Sequence, residues 1–140
     1  MGIDTSISFI KVVLTELSFK LNKEFKPPKD GVPVNISFKT KNFFSLDKKT
    51  LRVMLSATLF QKKGNKPFSM KVSVEGTFAC KNCEELTRFS KVHAPAHLFP
   101  FVREIIGNTT MKANIPPLLL PPFNLFAMLA KKKDAESSSA

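Results

Sequence analysis

Two cysteines and two histidines stand at spacings that suit zinc: Cys80-x2-Cys83 and, further on, His93-x3-His97. Thiolate and imidazole pairs of this kind build tetrahedral zinc sites. Nine residues separate Cys83 from His93, whereas a zinc finger has roughly twelve there. Pro95 lies between the histidines and is expected to interrupt the helix that would turn both imidazoles to one side. Structural roles are therefore expected. Cys80 should close a strand as a small buried apolar group, and the histidines should flank a helix junction. A Cys–His nucleophile would need an orienting third group and an oxyanion hole, and neither is suggested. Arg103-Glu104 reads as an exposed ion pair or subunit contact. With no paired-carboxylate site, no glycine-rich phosphate loop and five glycines in all, no enzyme, metal or cofactor is expected.

Composition narrows the remaining classes. The chain has 140 residues, 43% of them hydrophobic, enough for one domain with a real core. The N-terminus lacks a basic start followed by an apolar run, so no signal peptide is expected. No stretch reaches about 18 apolar residues, so no membrane helix is expected. Two cysteines without a secretory signal fit a reducing cytoplasm. The net charge of +11, from 22 basic and 11 acidic residues, attracts polyanions or acidic partners. Fourteen phenylalanines stand without a tyrosine or tryptophan. Phe supplies apolar area with no polar handle, which suits a core and equally a surface that accepts apolar chain of no fixed sequence.

Phe and Lys interleave at Phe38-Lys-Thr-Lys-Asn-Phe-Phe44, a pattern that could stack single-stranded nucleic acid on a basic sheet. That alternative is opposed by the alternation itself, which sends Phe19, Phe38, Phe68 and Phe78 toward the core, away from the lysines.

Four segments alternate with period two. They are centred on Leu17-Phe19-Leu21, Val34-Ile36-Phe38, Leu51-Val53-Leu55-Ala57-Leu59 and Phe68-Met70-Val72-Val74-Gly76-Phe78. Each reads as a strand with one buried and one wet face, which predicts an antiparallel sheet covered on one side. Gln61 to Pro67 forms a hairpin loop with Gly64-Asn65 at its tip. Lys41 to Lys49 is a shorter turn region. The proline-rich Asn22–Pro33 segment is better suited to a crossover, as in a Greek key. Asn82 caps a short helix from Cys83 to about His93. The main helix should follow Pro95, with Gly107-Asn108 as its C-cap. A last helix is expected over 124–132, and a disordered polar tail over 134–140. The fold class is α+β: a four-stranded antiparallel, Greek-key-like sheet with helices on one face, in a single domain over 1–133.

The stretch Leu98-Phe-Pro-Phe-Val-Arg-Glu-Ile-Ile106, followed by Ile115-Pro-Pro-Leu-Leu-Leu-Pro-Pro-Phe-Asn124, is the most specific. Pro100 is expected in the first helical turn, where its missing N–H costs nothing. Leu98, Phe101, Val102, Ile105 and Ile106 then form a wide apolar stripe. Four prolines from Pro116 to Pro122 enforce an extended segment. This order resembles the SecB family of protein-export chaperones, with its Leu-Phe-Pro-aromatic-x-Arg-Glu helix and its Pro-x-Leu-x-Leu-x-Pro-x-Asn connection. The likeness spans roughly Leu14 to Phe126.

The resemblance implies a homotetramer, a dimer of dimers, that holds unfolded preprotein in apolar grooves without ATP. Leu98, Phe101 and Ile105 would serve subunit packing. Client chain would meet Phe25, Val34, Ile36, Leu118, Leu120, Phe123 and Phe126. The family docks its SecA motor through acids on the sheet's exposed face. Here Glu16 keeps an acid, while Lys20 and Lys71 reverse the sign, so weak or no SecA binding is expected. His97 stands where the family usually has Asn, and Phe123-Asn124-Leu125 where Val-Asn-Phe is usual. Some SecB-like proteins guard the antitoxin of a toxin–antitoxin pair, and an antitoxin polypeptide is the second client class the resemblance implies.

Overall fold

Strand formation follows the alternation, and the computed structural model of the chain shows how far it extends. Residues 7–29, 35–61, 64–91 and 93–115 are described, without the side chain of Cys83. The elements run β1 (Ser8–Leu21), β2 (Ile36–Phe44), β3 (Thr50–Leu59), β4 (Phe68–Ala79), α1 (Cys83–Lys91) and α2 (His93–Lys112). The strands form one antiparallel sheet in the order β1-β4-β3-β2. Strands β2, β3 and β4 are joined by hairpins, and the crossover after β1 carries the chain from one edge to the other. This is the Greek-key, α+β arrangement the sequence predicts.

Opposite residues of the ladder share a face. The covered face of the centre is therefore Leu51, Val53, Leu55, Ala57 and Leu59 of β3 against Phe78, Gly76, Val74, Val72 and Met70 of β4. These side chains are buried and form the core with Leu86 of α1 and Leu98, Val102 and Ile106 of α2. Helix α2 lies over β3 and β4, while α1 packs on α2 and β3.

The β2–β3 turn is built around Asp47. Its Oδ1 accepts from Ser45 Oγ at 2.6 Å and from the Lys49 N–H at 3.0 Å. Ser45 Oγ accepts in turn from the Thr50 N–H at 3.1 Å. Strand β2 thus reaches Phe44, and the turn is shorter than the Lys41–Lys49 region expected.

The helices correct three expectations. Helix α2 begins at His93 and takes Pro95 into its first turn, so Pro95 does not separate the histidines. Pro100 sits inside the helix, not at its start. Its buried positions are 94, 95, 98, 102, 106 and 110, all but Pro95 on one ridge of every fourth residue. Gly107-Asn108 does not end it. The chain leaves the helix at Asn114, in the left-handed region at φ 60°. The Asn114 N–H donates to Met111 O and the Ile115 N–H to Thr110 O, at 3.0 and 3.2 Å. Those two bonds are a Schellman motif. At the other end of the pair, Asn82 caps α1 as expected: its Oδ1 accepts from the N–H groups of Glu84 and Glu85.

Candidate functional site

The sheet is wider than the helices that cover it. At the β1 edge the residues opposite the core side of β4 are Phe9, Val12, Leu14, Leu17, Phe19 and Leu21. Four of these remain open: Phe9 is 42% exposed, Leu14 46%, Leu17 45% and Leu21 38%. At the β2 edge the corresponding positions are Ile36, Phe38, Thr40, Asn42 and Phe44. Phe38 is buried and meets Phe99 edge-on at 5.7 Å between ring centroids. Ile36 is half-buried and Phe44 is exposed. An open apolar margin therefore flanks the helical layer on β1, while the β2 margin is narrower, with Ile36 and Phe44 separated by buried Phe38 and polar Thr40 and Asn42.

The crossover is fastened at its start. The Asn22 N–H donates to Pro67 O at 3.0 Å and Asn22 Nδ2 to Lys66 O at 2.8 Å. Asn22 Oδ1 accepts from the Glu24 N–H, closing a local Asx turn. Four residues on, the Lys26 N–H donates to Asn65 Oδ1 and Asn65 Nδ2 returns a bond to Lys26 O, at 3.1 and 2.7 Å. Two asparagines thus bolt the crossover to the β3–β4 hairpin, with half-buried Phe25 between the anchors. Beside them an open hollow of about 470 Å³ has Leu21, Phe60 and Phe68 in its wall. Lys66 stands 6.0 Å from the Phe60 ring centroid, within cation–π range.

The opposite face of the sheet is mainly polar and basic, with Val13, Met54 and Phe43 interspersed. Lys39 and Lys41 of β2, Arg52 of β3, Lys71 of β4 and Lys11 and Lys20 of β1 all lie on it. Its two acids are paired: Glu16 with Lys71 at 3.3 Å and Glu75 with Arg52 at 3.5 Å. Lys20 and Lys71 are thus on the wet face, where the sequence puts them.

Of the cysteine–histidine set, the side chains of Cys80, His93 and His97 are described, and each makes contacts within the chain. Cys80 is buried, and its Sγ accepts from the Asn82 N–H at 3.4 Å. His97 packs among Phe89, Phe78 and Phe9, with centroids 5.5–6.3 Å apart, and His93 stacks on Phe89 at 6.0 Å. Among the described residues no cluster of three or more His, Cys, Asp or Glu could hold a metal ion. The aromatic rings required by the nucleic-acid alternative are on the wrong side. Phe38, Phe68 and Phe78 are buried and Phe19 packs against the core, leaving Phe43 on the basic face.

Of the expected client contacts, Phe25 and Ile36 are described and half-buried. Val34, Leu118, Leu120, Phe123 and Phe126 lie outside the described residues, as do the helix expected over 124–132 and the tail over 134–140. Of the expected subunit contacts, Phe101 and Ile105 are half-buried. Leu98 requires correction: it is fully buried in its own subunit, against Gly76, and offers nothing to a partner. The β1 margin was not anticipated. Two bulges, at 9–11 and 14–16, shift the register twice, so its apolar positions change phase from Phe9 to Val12-Leu14 and again to Leu17-Phe19-Leu21. A period-two search sees only the last group. No described helix is long and apolar enough to cross a membrane.

Comparison with known proteins agrees with this geometry. An uncharacterized protein of Methanocaldococcus jannaschii is 26% identical over 140 residues, covering 96% of this chain and 89% of its own. The protein-export protein SecB of Nitrosococcus oceani is 27% identical over 150 residues, covering 99% and 88%. That of Wolbachia pipientis (subsp. Culex pipiens) is 34% identical over 98 residues, covering 65% and 59%. A SecB-like chaperone of Mycobacterium tuberculosis, solved with a ChAD peptide from the HigA1 antitoxin, superposes with a TM-score of 0.69 at 17% identity. The superposition covers 84% of this chain and 91% of that one. The family model for SecB, preprotein translocase subunit, matches residues 4–136, and with nearly the whole sequence inside that match the chain belongs to the SecB family.

Proposed function

We propose that this chain is a cytoplasmic, ATP-independent chaperone that holds non-native polypeptide, without being an enzyme. The observation that carries this reading is the apolar surface left open beside the helices, broad on β1 and reduced to Ile36 and Phe44 on β2. Large aliphatic and aromatic side chains on an exposed sheet are costly to a solitary subunit and suit a surface that must bury other chains. Burial of such surface contributes about 25 cal/mol per Å² before ordering costs are subtracted. It depends on area and not on client sequence.

The two margins take different roles. The β1 margin, with Phe101 and Ile105, joins subunits into a tetramer, a dimer of dimers. Phe9 meets Phe101 edge-on at 6.2 Å, so strand and helix present one continuous apolar surface there. The β2 margin and the crossover, through Ile36 and Phe25 together with Val34, Leu118, Leu120, Phe123 and Phe126, hold the client. Preproteins are one client class, supported by the relatives named protein-export proteins. An antitoxin polypeptide is the other, supported by the mycobacterial neighbour and its bound antitoxin peptide. Suppression of aggregation of a denatured protein in the absence of nucleotide tests the reading.

A further inference from the structure

We propose that the outer, helix-free face of the sheet docks an acidic, extended polypeptide segment of a partner protein, separately from the apolar margins. The face carries six basic side chains against two acids at its strand positions, a net of four positive charges. Both acids are occupied, Glu16 by Lys71 and Glu75 by Arg52. The remaining four cations are Lys39 and Lys41 on one edge strand and Lys11 and Lys20 on the other.

Between these rims the floor carries small hydroxyl residues in two rows, beside a row of Met54, Glu75 and Val13. One row across the sheet runs Lys39, Ser56, Ser73 and Glu16. Its serines bond each other at 2.7 Å and are buried. In the next row Ser37 and Thr58 bond at 2.6 Å. These hydroxyls are satisfied by each other and compete for no further partner. Lys39 and Lys41 are two residues apart on one strand, hence about 7 Å. Side chains on one face of an extended peptide repeat at the same interval. Acids at alternate positions of such a peptide therefore meet both lysines in register.

A hollow of about 390 Å³ opens at one end of this face, with Lys11, Phe43, Arg52, Glu75 and Thr77 in its wall. Arg52 lies over the Phe43 ring, 5.3 Å from its centroid. A carboxylate of the docked segment reaches Lys11 there. Nucleic acid is the weaker occupant. Single strands are held by stacking successive bases on rings, and the one ring on this face is already covered by a guanidinium.

The test uses the full chain and a labelled peptide alternating glutamate and serine, followed by fluorescence anisotropy. Oligothymidylate of equal length is measured beside it. The peptide should bind, and added salt should weaken it. Lys39→Gln with Lys41→Gln should weaken it about threefold and the double change to Glu about tenfold. Aggregation suppression by these variants should match the parent. Peptide binding in a chain that suppresses no aggregation would leave this proposal standing and remove the chaperone reading. No peptide binding, binding indifferent to the two lysines, or tighter oligothymidylate binding with the same sensitivity would overturn it.

Discussion

Leu98 lies directly over Gly76. A Cβ built on Gly76 would stand 2.5 Å from Leu98 Cδ2, well inside van der Waals contact. The backbone of β4 is thereby the seat of the main helix, and the glycine is what lets α2 come close. Gly76→Ala should destabilise the subunit by about 1–3 kcal/mol through overpacking, read as a lower midpoint in urea with an unchanged slope. Adding Leu98→Ala should relieve the clash, so the two losses should not add. Additive losses would show that the helix does not rest on this glycine.

The β2–β3 turn should carry a pH dependence. The Ser45 hydroxyl and then the Lys49 N–H, both donating to Asp47, hold its carboxyl below the ordinary carboxylate value. The folded pKa is depressed, so the stability this contributes is present above the unfolded value and is lost as pH falls through the folded one. NMR titration should place the Asp47 midpoint below that of a free aspartate. Ser45→Ala should move it upward. An unmoved midpoint would remove the hydroxyl as the cause.

Removing apolar area from the β1 margin should change assembly and not fold. Leu14→Glu with Leu17→Glu puts charges on positions that are already open in the subunit. We expect light scattering to report dissociation to smaller species while circular dichroism keeps the native sheet signal. A variant that stays as large as the parent would place the subunit contact elsewhere.

The basic outer face sets the expected relation to the export motor. The family resemblance implies that SecA docks through acids on this face, and here Lys20 and Lys71 occupy it. Pull-down from native cells should recover SecA weakly or not at all. Lys20→Glu with Lys71→Glu should leave aggregation suppression intact, although reversing Lys71 also breaks its ion pair with Glu16. Stable, salt-resistant recovery of SecA by the parent chain would contradict this expectation.

Legibility differed along the chain for physical reasons. Strands β3 and β4 alternate without a break because one face is buried along their length, and both were evident from Leu51 and Phe68 onward. Strand β1 has two bulges, so its first half hid behind two phase changes. Asn82 signalled the start of α1 through its type and position. Asn114 ended α2 where Gly107-Asn108 seemed the natural stop, because Gly107 faces open space and nothing forces the chain out of the helix there. The basic face was visible in Lys20 and Lys71, but its rims needed the strand order, which brings Lys39 and Lys41 of one edge onto the same surface as Lys11 of the other. Leu98 was assigned to the subunit interface from its place in a stripe. A stripe cannot tell which of its side chains pack on their own sheet.

Holding activity itself is the most direct measurement. A chemically denatured protein is diluted into buffer with and without this chain, in the absence of nucleotide, and aggregation is followed by light scattering. Scattering should fall with increasing chain and reach a plateau at a defined subunit ratio. Phe25→Ser with Ile36→Ser should weaken the effect, while Lys39→Gln with Lys41→Gln should not. Undiminished aggregation at a severalfold molar excess of a folded, assembled chain would contradict the assignment.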